Sequence, residues 1–508
     1  MAQKYCVVID FTGIQAYVFG SNMLNDNLGA SYLLENIFKN IPSYADIFSQ
    51  KSIDQIKKEE SPANNNEIIG YDGGGNKIMF FDTEEDAKNF IKEFSLYLLM
   101  VAPGLGFASA IKRFDLDGNN KIDWKNGKND LFKDLAINKS KHPANTVIPR
   151  HGITAECVQS GFSMDVFAED NYVSSTIKPK LSSSEKSKKE NDFADNHPGY
   201  KLTNGLDNLG QRINHENFIA IVHIDGNDMG LTFESIETIE ETRALSAKIK
   251  EHVKNSFDKL LEHVVEDIEN NKYKDLLDLR DKDVKDSIFL PLRSIILGGD
   301  DITFVSEGKL GIYLAKLFME YMSELELPGG KKLSTCAGVA IQNTKFPFYR
   351  GYKIAEQLCD NAKKKRRTSI DNGKEGENWF DFHISYGGYS GSLEEIRDLH
   401  YTSERGKLYS RPYRLEDFSA LENEIKFFNK RDSNGKLIIA NNKIKELREV
   451  LSQGESAQNK FIDHLNSLRI NLYSDKTQNS LFVDGATKYL DIIELLEFYP
   501  KQLIKGGN

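Results

Sequence analysis

The sequence predicts an α+β chain: two tandem β-α-β-β-α-β units, an irregular segment between them and a helical C-terminal domain. Three observations predict it. The run Ile295-Ile296-Leu297-Gly298-Gly299-Asp300-Asp301-Ile302-Thr303-Phe304-Val305 sets Gly-Gly-Asp-Asp between two strand-like apolar stretches, as in a tight hairpin. A second apolar stretch, Phe218-Ile219-Ala220-Ile221-Val222-His223-Ile224, ends in Asp225-Gly226-Asn227-Asp228-Met229-Gly230. A weaker copy of both lies near the N-terminus.

The first unit is expected over residues 1–112. Tyr5-Cys6-Val7-Val8-Ile9-Asp10 reads as its first strand and Gly74-Gly75-Asn76-Lys77-Ile78-Met79-Phe80-Phe81 as its hairpin, with a further strand around Gly104 to Ala110. Residues 113–215 read as an irregular insertion. Within it, Asp115 to Asp123 looks superficially like a calcium loop but lacks a glutamate at the twelfth position, so it reads as a polar turn. Residues 182–196, rich in Ser, Lys and Glu, are expected to be mobile. The second unit, 216–414, takes strand 218–224, a helix over 235–270, the acidic hairpin, and a helix carrying Leu310, Leu314, Leu317, Phe318 and Tyr321 at helical spacing. A strand over 333–341, a helix over 349–367 and a strand over 380–384 complete it. This is a ferredoxin-like palm with both acidic tips at one sheet edge. Residues 415–508 read as helical, with Leu447 and Leu451, then Phe461, Leu465 and Leu468, at helical intervals.

Adjacent aspartates at a turn repel each other unless a cation sits between them, and hard divalent ions take such oxygens together with substrate phosphates. Asp225, Asp300 and Asp301 are therefore the candidate catalytic carboxylates, and with the Gly226 carbonyl the candidate ligands of two Mg²⁺ or Mn²⁺ ions. Gly298 and Gly299 let a nucleotide approach the turn, while Gly226, Asn227 and Asp228 form its other wall. Gly230 falls where a helix begins, so backbone N–H groups there are candidates for a triphosphate. Lys363 and Lys364, in a basic helix end, are candidates for the same phosphates. The competing readings are a solvated turn for Gly-Gly-Asp-Asp, a helix cap for Asp225 and a dipole-complementing helix end for the lysines.

The two copies differ at the hairpin, where Asn76 and Lys77 are aligned with Asp300 and Asp301. A lysine there would repel a cation, so the first unit is expected to be metal-free. It is expected to offer an acceptor pocket from Gly74, Gly75 and Asn76 to a nucleotide whose 3′-hydroxyl attacks a donor in the second unit. The alternative is that the first unit is only scaffold.

These motifs, with Ala355-Glu356…Ala362-Lys363 and Ser410-Arg411-Pro412-Tyr413, resemble the second palm of the large, polymerase-like subunit of type III CRISPR effector complexes. That family is more distantly similar to diguanylate cyclases, and Asp10-Phe11-Thr12-Gly13-Ile14-Gln15 and Gly29-Ala30-Ser31 resemble its first palm. The resemblance implies an enzyme that joins ATP into a cyclic oligonucleotide messenger for antiviral defence. Two departures are expected. The first palm strand begins within ten residues of Met1, leaving no room for the HD nuclease domain common in the family. The four cysteines, Cys6, Cys157, Cys336 and Cys359, contain no C-x-x-C, so Glu156 to Gly161 reads as a remnant of the family's zinc site and no zinc is expected.

The chain has 508 residues and a formal net charge of −10, which gives no general basic footprint for nucleic acid. No apolar run approaches the roughly 20 residues of a membrane span, the N-terminus lacks a signal peptide pattern and cysteines are few; the expectation is a cytoplasmic protein without membrane or DNA partners. Three function classes follow: a nucleotidyltransferase acting on ATP alone or as a homo-oligomer, the same chemistry within an RNA-guided complex of effector proteins with guide and target RNA, and a nucleotide-sensing module without turnover. Intact acidic residues disfavour the last, and the two departures disfavour the second.

Overall fold

The computed structural model describes residues 3–60, 68–73, 75–117, 121–141, 152–189, 193, 196–210, 216–274, 276–280, 287–370, 377–387, 391–472 and 480–504. Gly74 lies outside them, as do 190–192 and 194–195 of the segment expected to be mobile.

The first unit comprises β1 (Gln3–Thr12), α1 (Ile14–Val18), α2 (Leu24–Asn36), α3 (Gln50–Glu60), β2 (Asp72–Gly73), β3 (Asn76–Phe81), α4 (Glu84–Val101), β4 (Gly106–Asp115) and α5 (Trp124–Lys141). Its sheet has the order β2-β3-β1-β4. Alternation along β1 decides which helix covers which face: Val7 and Ile9 pack with Phe90 and Phe94 of α4, whereas Cys6 and Val8 pack with Trp124, Leu131 and Leu135 of α5. The unit therefore runs past residue 112, and the segment read as irregular contributes a core helix. Its apolar contacts are widely spaced and its polar residues many, which hid it.

Between the units lie β5 (Val166–Ala168), β6 (Asn171–Val173), α6 (Lys178–Lys189) and β7 (Tyr200–Lys201). The part of the supposedly mobile stretch within α6 is helical and ordered by close packing on α2: a Cβ at Gly29 would stand 1.9 Å from the Lys180 carbonyl oxygen. Lys180 is buried, donating to the Tyr17 carbonyl at 2.5 Å with its ammonium 4.4 Å from the Tyr17 ring centroid. A lysine-rich run thus reads as solvated in sequence while one of its lysines is a core contact.

The second unit holds β8 (Phe218–Gly226), α7 (Met229–Ser235), α8 (Ile239–Glu269), β9 (Ile288–Phe289), β10 (Leu292–Gly298), β11 (Asp301–Glu307), α9 (Gly311–Met322), β12 (Thr335–Asn343), α10 (Phe348–Ile370) and β13 (Trp379–Ser385). Then come α11 (Leu393–His400), β14 (Thr402–Ser403), β15 (Gly406–Lys407) and β16 (Tyr413–Arg414). The sheet order is β10-β11-β8-β12-β13-β16. Its first four strands repeat the order of the smaller sheet, each antiparallel to its neighbour. The fold is α+β.

One core runs through both units. Phe19, after α1, stacks on Tyr352 of α10 at 3.8 Å between centroids, and Ile219, Ile221 and Val305 join the cluster built on Val7 and Ile9. The C-terminal helices α12 (Phe418–Phe428), α13 (Asn441–Leu451), α14 (Glu455–Ser467) and α15 (Tyr489–Phe498) extend the core on the other face of the second sheet, where Phe498 meets Phe218 at 5.0 Å. No helix among the described residues is long and apolar enough to cross a membrane.

Candidate active site

Antiparallel register places Asp225, near the end of β8, directly opposite Asp301, the first residue of β11. A two-residue turn, Gly299-Asp300, links Gly298 to Asp301, with Gly299 at φ 62°. The Gly226 N–H donates to the Asp300 carbonyl at 3.0 Å, tying the two acidic segments together. A side chain at Gly226 would meet the Asp300 Cβ at 2.8 Å, so glycine is required by the closeness of the turn.

The carboxylates are held against their ordinary tendency to ionise. Burial, reinforced by the charge of Asp225, pushes Asp300 up to about 6 and Asp301 up to about 7. The Gln15 side chain, from the first unit, hydrogen-bonds Asp301 and opposes that shift, while Asp301 Oδ1 is a buried oxygen without a hydrogen-bond donor. Beneath it lies buried His223, its Nδ1 3.5 Å from Asp301 Oδ1 and 3.2 Å from Thr303 Oγ1; burial lowers its pKa and favours the neutral ring. Lys363 of α10 meets Asp225 Oδ2 at 2.5 Å, and one turn later Arg366 grips Asp228 through two contacts of 3.3 and 2.5 Å. Lys364 is exposed, a hundred degrees around the helix from Lys363. Asn227 is buried and donates to Ser334 Oγ at 3.1 Å, which fixes the loop. Asp228 adopts φ 58° as the N-cap of α7, a helix of seven residues, and the space beside Gly230 is open.

The first unit's hairpin comes close to the same place. Gly73 pairs with Asn76 as Gly298 pairs with Asp301, and Asn76 stands opposite Asp10 as Asp301 stands opposite Asp225. Register therefore shifts the expected correspondence by one residue: Gly75 and Asn76, not Asn76 and Lys77, take the positions of Asp300 and Asp301. Lys77 is buried one residue further along β3, its ammonium 5.4 Å from the Phe38 ring centroid. Gly75 has φ 78°.

Two cavities flank the paired turns. One of about 770 Å³ is lined by Asn76, Phe132 and Lys133 of the first unit and by Met229, Phe233 and Asp300 of the second. The other, of about 240 Å³, is lined by Ile14, Gly75, Lys250, Ile296 and Asp301. Gly73, Ser246, Gly299 and Asp300 line both.

Among the described residues no three or more His, Cys, Asp or Glu side chains already converge as a metal-ligand set. The lone buried oxygen of Asp301, the register pairing of Asp225 with it, and two carboxyls raised by burial and by the charge of Asp225 still fit a divalent ion that brings phosphate oxygens as its remaining ligands.

No sequence signal marks Arg366, His223 or Gln15 as a site residue as directly as the acidic motifs mark the aspartates. Arg366 was legible in principle, three residues after Lys363 on one helix face. Gln15 carried no chemical signal, because it reaches the site only across the contact between units.

An acidic hairpin beside a strand-end aspartate, on this sheet order and facing a second such sheet, defines a palm-domain protein. Residues 218–371 match the family model for the second palm domain of Cas10/Cmr2, and over that stretch the chain is Cas10-like. Among solved structures it is similar to Csm1 of T. onnurineus (15% identity, 100% of this chain and 68% of that one, TM-score 0.51). It is also similar to Csm1–Csm4 cassettes in complex with pppApApA (14%, 97% and 69%, TM-score 0.54) and with AMPPNP (14%, 99% and 70%, TM-score 0.53). At such identities the likeness is one of fold. No curated protein matches the chain by sequence.

The raised carboxyls yield a testable pH dependence. A carboxyl whose folded pKa exceeds its unfolded value contributes stability at low pH that is lost as pH rises through the folded pKa. Asp300 and Asp301, rising from 3.8 to about 6 and about 7, should therefore cost the metal-free protein stability across roughly pH 4 to 7. In chelator, Asp301→Asn should melt several degrees above wild type at pH 8, with the gap narrowing at pH 5. Parallel melting curves at both pH values would contradict the assignment.

Proposed function

We propose that this protein is a nucleotidyltransferase that converts ATP into a cyclic oligonucleotide, with its two palms acting as a ferredoxin-like pseudo-dimer. The observation that carries the reading is the pairing of Asp225 with Asp301 beside the Gly299-Asp300 turn, which lines two cavities, each walled by both palms. Asp225, Asp300 and Asp301, with the Gly226 carbonyl, would hold Mg²⁺ or Mn²⁺. Such ions lower the pKa of an attacking hydroxyl and neutralise leaving phosphate.

The chain's own residues divide the remaining work. Lys363 neutralises Asp225 in the absence of ligand and is placed to exchange that carboxylate for a triphosphate, since an ammonium binds either anion. Arg366 fixes Asp228 and with it the loop over the donor phosphates; Asn227 holds that loop from the other side. Gln15 and neutral His223 set the orientation of Asp301. The first palm presents the second nucleotide, so that its 3′-oxygen forms a bond to the donor α-phosphorus while the α–β phosphoanhydride breaks and pyrophosphate leaves. The hydroxyl proton passes to water. Gly75 and Asn76 form the acceptor side, without metal.

Incubating the purified chain with each NTP and Mg²⁺ or Mn²⁺, then analysing products by mass spectrometry, tests this directly. Cyclic or linear oligoadenylate is expected, and its absence from a preparation that binds ATP would favour a nucleotide sensor. A second reading, the large subunit of a type III CRISPR effector complex with effector proteins and guide and target RNA, is supported by the fold shared with Csm1 in its Csm1–Csm4 cassette. It expects little product until those partners and a matching target RNA are added.

A further inference from the structure

The pseudo-symmetry extends to an ion pair that neither hairpin contains. Asp10, the counterpart of Asp225, is buried and bound by Lys139 of α5. Lys363 is bound to Asp225 in the same way from α10. The two helices are topological equivalents: each follows the strand paired with the carboxylate-bearing strand, β4 beside β1 and β12 beside β8. Each also covers the face on which that carboxylate lies, and each lysine is the sixteenth residue of its helix. Between Gly104 and Lys141 the sequence carries no motif that marks Lys139 out from its neighbours.

What differs is the charge around the pair. In the second palm three carboxyls, Asp225, Asp300 and Asp301, face one lysine, an excess of acidic groups that calls for cations. In the first palm Gly75 and Asn76 replace two of those carboxylates, leaving Asp10 and Lys139 in balance. An anion can approach that site with no metal ion to prepare it. The strand position beside Asp10 is Asn76, which lines the larger cavity, and Lys133 of the same helix lines it too. Lys139 keeps a side chain 41% exposed, against 13% for Asp10, so the lysine has room to leave its partner.

We infer that Lys139 is a phosphate-positioning residue of the first palm, released from Asp10 to hold the polyphosphate of the second nucleotide in the larger cavity. This rests on the two-nucleotide reading proposed above and adds to it the residue that holds the 5′-polyphosphate of the acceptor. Asp10 is then a restraint that keeps the lysine folded back until the anion arrives.

Calorimetry with a non-hydrolysable ATP analogue and with adenosine, on the full chain, separates the possibilities. Wild type is expected to bind two analogue molecules. Lys139→Ala should weaken one of them roughly 10- to 100-fold, the scale of a charge-assisted hydrogen bond, while adenosine binding is unchanged; Lys139→Arg should restore most of it. Asp10→Asn should act in the opposite direction and tighten that same site several-fold, because the lysine no longer has a competing carboxylate. A purely structural ion pair predicts that both variants lower melting temperature and affinity together, and that result overturns the inference. So do two analogue sites untouched by Lys139→Ala, which leave the two-nucleotide reading standing. A single site in wild type overturns both.

Discussion

Asp300→Asn is expected to reduce product formation by roughly 10²–10³-fold or more, the scale on which one preorganised charge-stabilising group acts, while the protein stays folded. Asp300 stands in the turn, its backbone carbonyl accepting from Gly226 N–H, and that bond survives the change. The substitution removes a charge whose ionisation already costs energy, because burial and Asp225 push this carboxyl up to about 6. Folding should therefore be unharmed or improved, and the loss should appear in divalent-dependent nucleotide binding as well as in turnover. Asp301→Asn should behave alike. Titration of nucleotide with Mn²⁺ at pH 8, alongside product yield, checks both. Wild-type yield from a folded Asp300→Asn protein would remove the carboxylates from the mechanism.

The second large effect lies far from that chemistry. Arg411 is fully buried, 3.3 Å from Asp491 and 2.8 Å from Glu494 of α15, and lies over the Phe382 ring at 4.2 Å. Asp491 also accepts from the Ser410 N–H at 2.8 Å and the Tyr413 hydroxyl at 2.6 Å, and Glu494 accepts from Tyr401 at 2.7 Å. Arg411→Ala leaves two carboxylates in the core without their cation, and the expected cost is about 3–5 kcal/mol. Denaturant unfolding should show this as an early loss of the C-terminal helices. Replacing Arg411, Asp491 and Glu494 together by Met, Leu and Leu should recover much of the loss, since the penalty comes from uncompensated charge. A loss below about 1 kcal/mol for the single variant would mean that the carboxylates find water, against their burial.

Much of the second palm was legible because its signals are local. The strand over 218–224, the hairpin and the helix with Lys363 are set by apolar runs, glycines and helical spacing within a few residues, and each lies where those features place it. The first unit was legible as a repeat but not in its alignment. Gly74-Gly75-Asn76-Lys77 matches Gly298-Gly299-Asp300-Asp301 letter by letter only if hairpin register is ignored; pairing through Asp10 and Gly73 moves the match by one. The helices Trp124–Lys141 and Lys178–Lys189 escaped because their buried faces are small or interrupted, Gly29 against Lys180 above all, and the surrounding lysines dominate the composition.

The sequence by itself determined the chemistry on offer: three aspartates in two short motifs, a lysine in a helix end, glycines where a turn must close, and a second, altered copy of the same plan. Those follow from residue identity and spacing, which a chain carries before it folds. Only the tertiary structure decided which of these groups meet. It brought Gln15 to Asp301 across the contact between units, separated Lys363 from Lys364 by the turn of a helix, and took Ser410-Arg411-Pro412-Tyr413 away from the acidic site to anchor α15. It also set Lys139 on Asp10, residues 129 positions apart, as Lys363 is set on Asp225. Such pairings depend on sheet order and on the face each helix covers, and both are fixed by burial of the whole core.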